Sequence, residues 1–257
     1  QKNIDRAFAL IKEAAQAGAK VIAIPETFTY IGAKDRPDTY QFDLESELIR
    51  ELGRLSETLK IYLLGGSFHE RIPDQAKVYN TALFFSPEGE VLSTYRKIHL
   101  FDIASPTVTL KESDRFAFGS VEQSDVIETP FGRLALSICY DLRFPELYSR
   151  LALKGAQVIF VPAAFTMQTG KDHWEVLLRA RAIENQVYIV APNQFGSHNS
   201  ERQSYGNSMI IDPWGKVMSR ASDKECYITA DIDLEYLEQI RHSLPCLSHK
   251  RLNESAL

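Results

Sequence analysis

The stretch LALSICYDLRFPEL, residues 134–147, changes character twice. LALSI is a short apolar run of the length of a buried strand. Tyr140, Asp141 and Arg143 then turn it polar, and Phe144-Pro145-Glu146 opens a helix, with proline in the first turn and an acid beside it. The reading is strand, turn, helix, with Cys139 at the mouth of the strand. In open α/β sheets, functional groups collect where strands end at their carboxyl edge. Free cysteines are usually inert packing, so position alone leaves both packing and chemistry open for Cys139.

Working outward, the same alternation recurs. Residues 3–17 carry Ile4, Phe8, Ile11, Ala14 and Ala15 on one helical stripe, closed by Gly18. Strands are expected at 20–24 and 61–67, the latter running into Phe68-His69-Glu70, with a helix at 44–59 between them. Residues 79–85 and 91–95 read as a hairpin across Ser86-Pro87-Glu88-Gly89, and 126–128 with 134–138 as another across Thr129-Pro130-Phe131-Gly132. Helices follow at 145–154 and 173–185, with strands at 158–161 and 187–191. Strands 209–212 and 217–220 pair across Pro213-Trp214-Gly215. A last strand at 227–232 precedes a helix at 234–241. Hairpins set between helix–strand units predict mixed sheets with helices outside. No composition shift or repeat divides the 257 residues, so one domain is expected.

Composition narrows the function. Charged residues make up 25% and the net charge is −5, which argues against nucleic acid or an anionic membrane as partner. No apolar run approaches the ~20 residues of a membrane span, and no signal peptide is visible. The three cysteines, Cys139, Cys226 and Cys246, form no CxxC pair, so a structural zinc site has no support and a reducing, cytoplasmic setting is expected. His173 and Glu175 are two apart, the wrong spacing for metal ligands on one helical face.

Three reactive residues follow strand-like runs: Glu26 after VIAIP, Lys97 after VLSTYR, and Cys139 after LALSI. Singly, Lys97 and Glu26 read more readily as solvated charges, and His69, His99 and His173 as hydrogen-bonded structural histidines. Together they would make a working set. A lysine can favour a thiolate and stabilise an oxyanion, while a carboxylate can take the thiol proton and return it to a leaving amine. Spacing alone does not bring them together.

At these residues the chain resembles the nitrilase superfamily of carbon–nitrogen hydrolases, over essentially its whole length. IPETF with Glu26, YRKIHLFD with Lys97 and ICYDLRFPEL with Cys139 look like the family's glutamate, lysine and cysteine motifs, in the family's order. Glu112 in LKESDRF matches a second family glutamate. The resemblance implies a four-layer αββα sandwich of two mixed sheets flanked by helices, a Glu-Lys-Cys triad, no cofactor and no metal. It implies one domain over residues 1–257 that lacks a first N-terminal strand. The oxyanion would be held by Lys97 and the Tyr140 backbone N–H, with Glu112 positioning the triad or the substrate.

HWEVLLRARAIENQVYIVA, from His173, and SYGNSMIIDPWG, from Ser204, look most like the deaminated-glutathione amidase branch, with omega-amidase as the neighbouring alternative. N-carbamoyl hydrolase, true nitrilase and a catalytically idle binding module of the same fold are further alternatives. A substrate acyl group ending in a carboxylate wants a cationic binder. Arg143 is the candidate, against a reading in which it makes a structural ion pair. The resemblance further implies a small-molecule amide as the only partner besides other copies of the chain. The helices at 145–154 and 173–185 are the expected contacts of a homodimer or larger homo-oligomer. Two departures from the family pattern are the loop DIASPTVTLKES, which lacks a Pro-Gly, and the end of the tail LPCLSHKRLNESAL.

Overall fold

The computed structural model describes residues 1–32, 40–104, 109–200 and 202–251. The middle of the DIASPTVTLKES loop and the last six residues of the tail lie outside the described residues. Two six-stranded sheets carry the fold. The first contains β1 (Val21–Ala23), β2 (Gln41–Phe42), β3 (Tyr62–Leu64), β4 (Phe68–Arg71), β5 (Val78–Phe85) and β6 (Val91–Arg96). Its order is β1-β3-β5-β4-β2, with β6 on the other side of β5. A two-stranded ribbon, β7 (Asp102–Ala104) with β8 (Thr109–Lys111), follows it. The second sheet contains β9 (Val126–Thr129), β10 (Gly132–Leu136), β11 (Val158–Phe160) and β12 (Tyr188–Ala191). A small ribbon of β13 (Phe195–Ser197) and β14 (Gln203–Tyr205) intervenes before β15 (Met209–Ile211) and β16 (Val217–Arg220) complete that sheet. Its order is β16-β15-β12-β11-β10-β9. Both sheets mix parallel and antiparallel pairs.

Period-two burial sorts the strand side chains into three apolar layers. Leu64, Ala82, Phe84 and Tyr95 of the first sheet meet Leu134, Leu136, Val158, Phe160 and Tyr188 of the second. The alternate residues Leu63, Leu83 and Phe85 turn outward onto α1 (Lys2–Gln16) and α2 (Glu47–Leu59). On the far face, Ala135, Ile159, Ile189 and Ala191 pack on α3 (Pro145–Leu153) and α5 (Glu175–Asn185). Three apolar layers between two sheets and their helices make the expected four-layer αββα sandwich. α6 (Leu234–Ser243) adds Leu237 to the inter-sheet layer. Among the described residues no helix is long and apolar enough to cross a membrane.

The structure departs from the sequence reading at several elements. The strand expected at 61–67 breaks at Gly65-Gly66, so β3 and β4 are separate and both pair with β5. Gly66 has φ +61°, and a Cβ there would run into the Pro25 carbonyl oxygen, so only glycine lets the two backbones meet. The helix expected from His173 starts earlier, with α4 (Met167–Thr169) leading into the wide π turn Gly170–Trp174 and then α5. The strand expected at 227–232 does not form a ladder. Its residues do alternate between partly buried Ile228, Ala230 and Ile232 and exposed Tyr227, Thr229 and Asp231. Yet no described strand pairs with it. A trough of about 860 Å³, lined by Leu10, Ile22, Phe131, Val190 and Ile228 among others, lies beside both this segment and β1. The period-two signal was right about side-chain facing, but a ladder also requires a neighbouring backbone.

Candidate active site

The catalytic candidates lie at or just beyond strand ends. Glu26 follows β1, Lys97 follows β6, and Cys139 follows β10 after two further residues. Glu112 begins the turn Glu112–Asp114 directly after β8. Each strand is fixed by its own ladder, so the side chains past its end are aimed by the whole sandwich. Lys97 is 1% exposed and Glu26 3%, so both charges depend on partners inside the protein.

Those partners are each other. Lys97 Nζ donates to Glu26 Oε1 at 3.0 Å and to Glu112 Oε2 and Oε1 at 2.9 and 3.2 Å. Asn80 Nδ2 adds a second donor to Glu26 Oε1 at 2.8 Å, and the Ala164 N–H binds Glu26 Oε2 at 2.8 Å. Gln194 Nε2 bonds the Glu26 carbonyl, and Ser67 Oγ accepts from the Thr27 N–H, in a turn where Thr27 has φ +46°. Glu112 Oε2 also accepts from the Phe101 N–H.

Electrostatics follow from that packing. Burial disfavours the Lys97 charge, but Glu112 and Glu26 outweigh it and hold its pKa well above the ordinary lysine value. Burial pushes Glu112 up, with the Lys97 ammonium opposing. Burial also pushes the Cys139 thiol well above its ordinary value. The charge and hydrogen bond of Glu26 add to that, against the opposing pull of Lys97. The sequence reading paired Lys97 with a Cys139 thiolate. In the structure Lys97 does pull the thiol's pKa down, but it also bonds two carboxylates, and burial and Glu26 outweigh its effect.

Cys139 has φ +45°, the left-handed region that non-glycine residues rarely occupy, so its surroundings must hold it there. Its N–H binds the Pro162 carbonyl at 3.0 Å, and the Asp141 N–H binds the Ile138 carbonyl at 3.0 Å. The Tyr140 N–H lies in the first turn of the short helix Cys139–Arg143, ahead of its first internal bond from the Asp141 N–H, and none of the described hydrogen bonds uses it.

These motifs on a four-layer sandwich meet a direct comparison. The carbon-nitrogen hydrolase family pattern matches residues 1–242. The chain belongs to the carbon–nitrogen hydrolase family. It is 42% identical over 252 residues to the omega-amidase of Xenopus tropicalis, covering 97% of this chain and 90% of that protein. It is 42% identical over 257 residues to human deaminated glutathione amidase, covering 98% of this chain and 78% of that one. The crystal structure of the Caenorhabditis elegans NitFhit protein superposes with a TM-score of 0.90 at 41% identity, covering 97% of this chain and 61% of that chain.

In this carbon–nitrogen hydrolase Arg143 closes the turn that begins at Cys139. Its guanidinium packs over Phe165 at 5.2 Å and Tyr140 at 5.9 Å, and both guanidinium NH groups face His173 Nδ1 at 3.3 Å. No described carboxylate pairs with it, so the structural ion-pair reading has no partner here. The three histidines are hydrogen-bonded, as expected: His69 to Arg115, His99 to Asp141 and His173 to Arg143. Among the described residues no cluster of histidine, cysteine and carboxylate side chains could hold a metal.

The sequence reading missed Asn80, Ala164, Tyr95 and Asp141. Asn80 had a signal: an asparagine inside the apolar strand VYNTALFF, 2% exposed, must bond to something buried. Ala164 had none, because its contribution is a backbone N–H.

Proposed function

We propose that this chain is a cysteine amidase that cleaves a small anionic linear amide through a Cys139 thioester. The observation that carries the reading is the buried cluster in which Lys97 bonds both Glu26 and Glu112, with Glu26 near enough to Cys139 to raise its thiol pKa. As the sulfur attacks the amide carbonyl, Glu26 takes the thiol proton. Lys97 and the Tyr140 N–H then face the developing oxyanion, where preorganised donors act most strongly. The C–N bond breaks as Glu26 returns the proton to the departing amine, leaving a thioester. Glu26 next deprotonates a water molecule, hydroxide adds to the thioester, and the acid leaves with the thiol restored. Glu112 keeps Lys97 charged and in place.

The proposed substrate is deaminated glutathione, giving 2-oxoglutarate and cysteinylglycine in a metabolite-repair role. The resemblance to the human and other deaminated glutathione amidases supports it. Arg143, which pairs with no carboxylate among the described residues, would bind the acyl carboxylate. The Xenopus relative favours a second reading, an omega-amidase that forms the same acyl-enzyme from 2-oxoglutaramate and releases ammonia. The proposal includes no cofactor, no nucleic-acid or membrane partner and a cytoplasmic setting. It also includes a homo-oligomer; Val176 and Ile183, exposed along α5, support a contact there.

A substrate panel read by mass spectrometry of the acyl-enzyme, with cysteinylglycine and ammonia quantified, tests the reading. The expected result is a 2-oxoglutaryl adduct on Cys139 and faster release of cysteinylglycine than of ammonia from the respective substrates. Cys139→Ala is expected to fold and to lose turnover and adduct. Near-normal turnover in that variant would end the nucleophile assignment.

A further inference from the structure

Asp141 takes no part in those steps, yet its burial is complete. No lysine or arginine pairs with it among the described residues. Hydrogen bonds satisfy it instead. Oδ2 accepts from the Tyr95 hydroxyl at 2.7 Å and the Ile138 N–H at 2.9 Å. Oδ1 accepts from the His99 N–H at 2.9 Å and His99 Nδ1 at 2.7 Å. A carboxylate only accepts, so His99 carries its proton on Nδ1. The imidazole is also stacked on Phe144, with ring centres 3.6 Å apart and planes 7° from parallel.

The placement of these donors is informative. Tyr95 and His99 lie two residues before and two after Lys97, on the first sheet's β6 and its exit. Ile138 immediately precedes Cys139, at the exit of β10 in the second sheet. One buried carboxylate therefore ties both flanks of the lysine to the turn that carries the thiol. Lys97 itself makes no hydrogen bond to that turn; its ammonium is held by Glu26 and Glu112. The Cys139 turn, at φ +45°, also needs holding, and the bond from the Ile138 N–H to Asp141 does part of that.

We propose that Asp141 is a positioning residue for the hydrolysis: it locks the Cys139 turn to the Lys97 segment across the two sheets without touching substrate. The proposal rests on Cys139 being the nucleophile. Sub-ångström placement of reacting groups is what proximity catalysis requires, and a misplacement of ~1 Å can cost about 100-fold in rate. A loss of this kind falls on kcat, because the geometry it disturbs is that between Cys139 and Lys97.

The test uses the full chain with Asp141→Asn, Tyr95→Phe, His99→Phe and Cys139→Ala. His99→Phe keeps an aromatic face for Phe144 and the backbone bond while removing the Nδ1 bond. Melting temperature, kcat, KM and the pH midpoint of Cys139 alkylation by iodoacetamide are measured for each. Asp141→Asn is expected to lower kcat about 100-fold with KM within about twofold. Tyr95→Phe and His99→Phe are expected to give smaller losses, also in kcat, and to move the alkylation midpoint while remaining folded. Should Asp141→Asn fail to fold, these two carry the test. Variants that melt earlier but keep wild-type kcat and alkylation midpoint would overturn the proposal, since Asp141 would then be only structural. Turnover by Cys139→Ala would instead remove the nucleophile reading beneath it.

Discussion

Replacing Glu26 by glutamine should make Cys139 more reactive while stopping turnover. In the structure, burial, the Glu26 charge and the Glu26 hydrogen bond all raise the thiol pKa, and Lys97 alone among the nearby charges lowers it. Glu26→Gln removes one of those charges and releases part of the Lys97 ammonium from its carboxylate partners. At hydrogen-bonding separation, two unit charges near ~4 Å interact by about 4 kcal/mol at an effective dielectric of ~20. Losing that interaction favours the thiolate by several hundred-fold at most, and relaxation brings the expected gain to roughly 10- to 100-fold. The thiolate, not the thiol, is the form that iodoacetamide alkylates. Alkylation by iodoacetamide at pH 7, followed by intact mass, should therefore quicken about 10- to 100-fold in Glu26→Gln. Amide turnover should fall by three orders of magnitude or thereabouts, since the variant has no base. A folded variant whose thiol reacts no faster than wild type would refute the electrostatic argument and return Lys97 to the role of thiolate partner.

Other consequences can be checked alongside. Arg143→Ala should raise KM for amides with a carboxylate on the acyl side by at least tenfold, the effect of losing a charge-assisted pair of about 1.5–3 kcal/mol. Neutral amides should be nearly unaffected, and equal effects on both would remove the carboxylate-binding role. Gly66→Ala sets a Cβ against the Pro25 carbonyl at a positive φ, so it should destabilise the fold by about 1–3 kcal/mol and lower kcat by displacing Glu26, read by denaturant melts and kinetics. His69 is buried and held neutral, its pKa pushed down to about 3 by burial, with Arg115 adding to the effect. The unfolded chain therefore binds a proton there, below about pH 6.5, that the folded chain refuses. Stability should fall from that pH toward 3, by up to ~4 kcal/mol from this group. His69→Phe should flatten this limb of the stability–pH curve.

Much of the fold could be read from local pattern. The stripes at 3–17 and 44–59 became α1 and α2, and the hairpins on Ser86-Pro87-Glu88-Gly89 and Thr129-Pro130-Phe131-Gly132 formed as expected. The short ribbons β7–β8 and β13–β14 were not legible, because three-residue strands carry too few alternations to stand out. The segment at 227–232 shows the converse case: it has the alternation of a strand but no described partner.

The sequence by itself determined the elements, the strand-end placement of Glu26, Lys97 and Cys139, and, through their motifs, the family resemblance. Those are properties of short windows: side-chain period, turn chemistry and residue order. Only the tertiary structure decided what the residues do to one another. It placed Lys97 between two carboxylates, where the lysine holds Glu26 and Glu112 and its pull on the thiol is outweighed by burial and Glu26. It set Arg143 beside His173, with no carboxylate partner among the described residues, and it made Asp141 a tie between two sheets. The reason is that pKa values and hydrogen-bond partners depend on distance and burial between residues far apart in the chain, as in the bonds of Glu26 to Asn80, Lys97 and Ala164, 54, 71 and 138 residues away. No local pattern encodes those separations; the packing of one sheet on the other does.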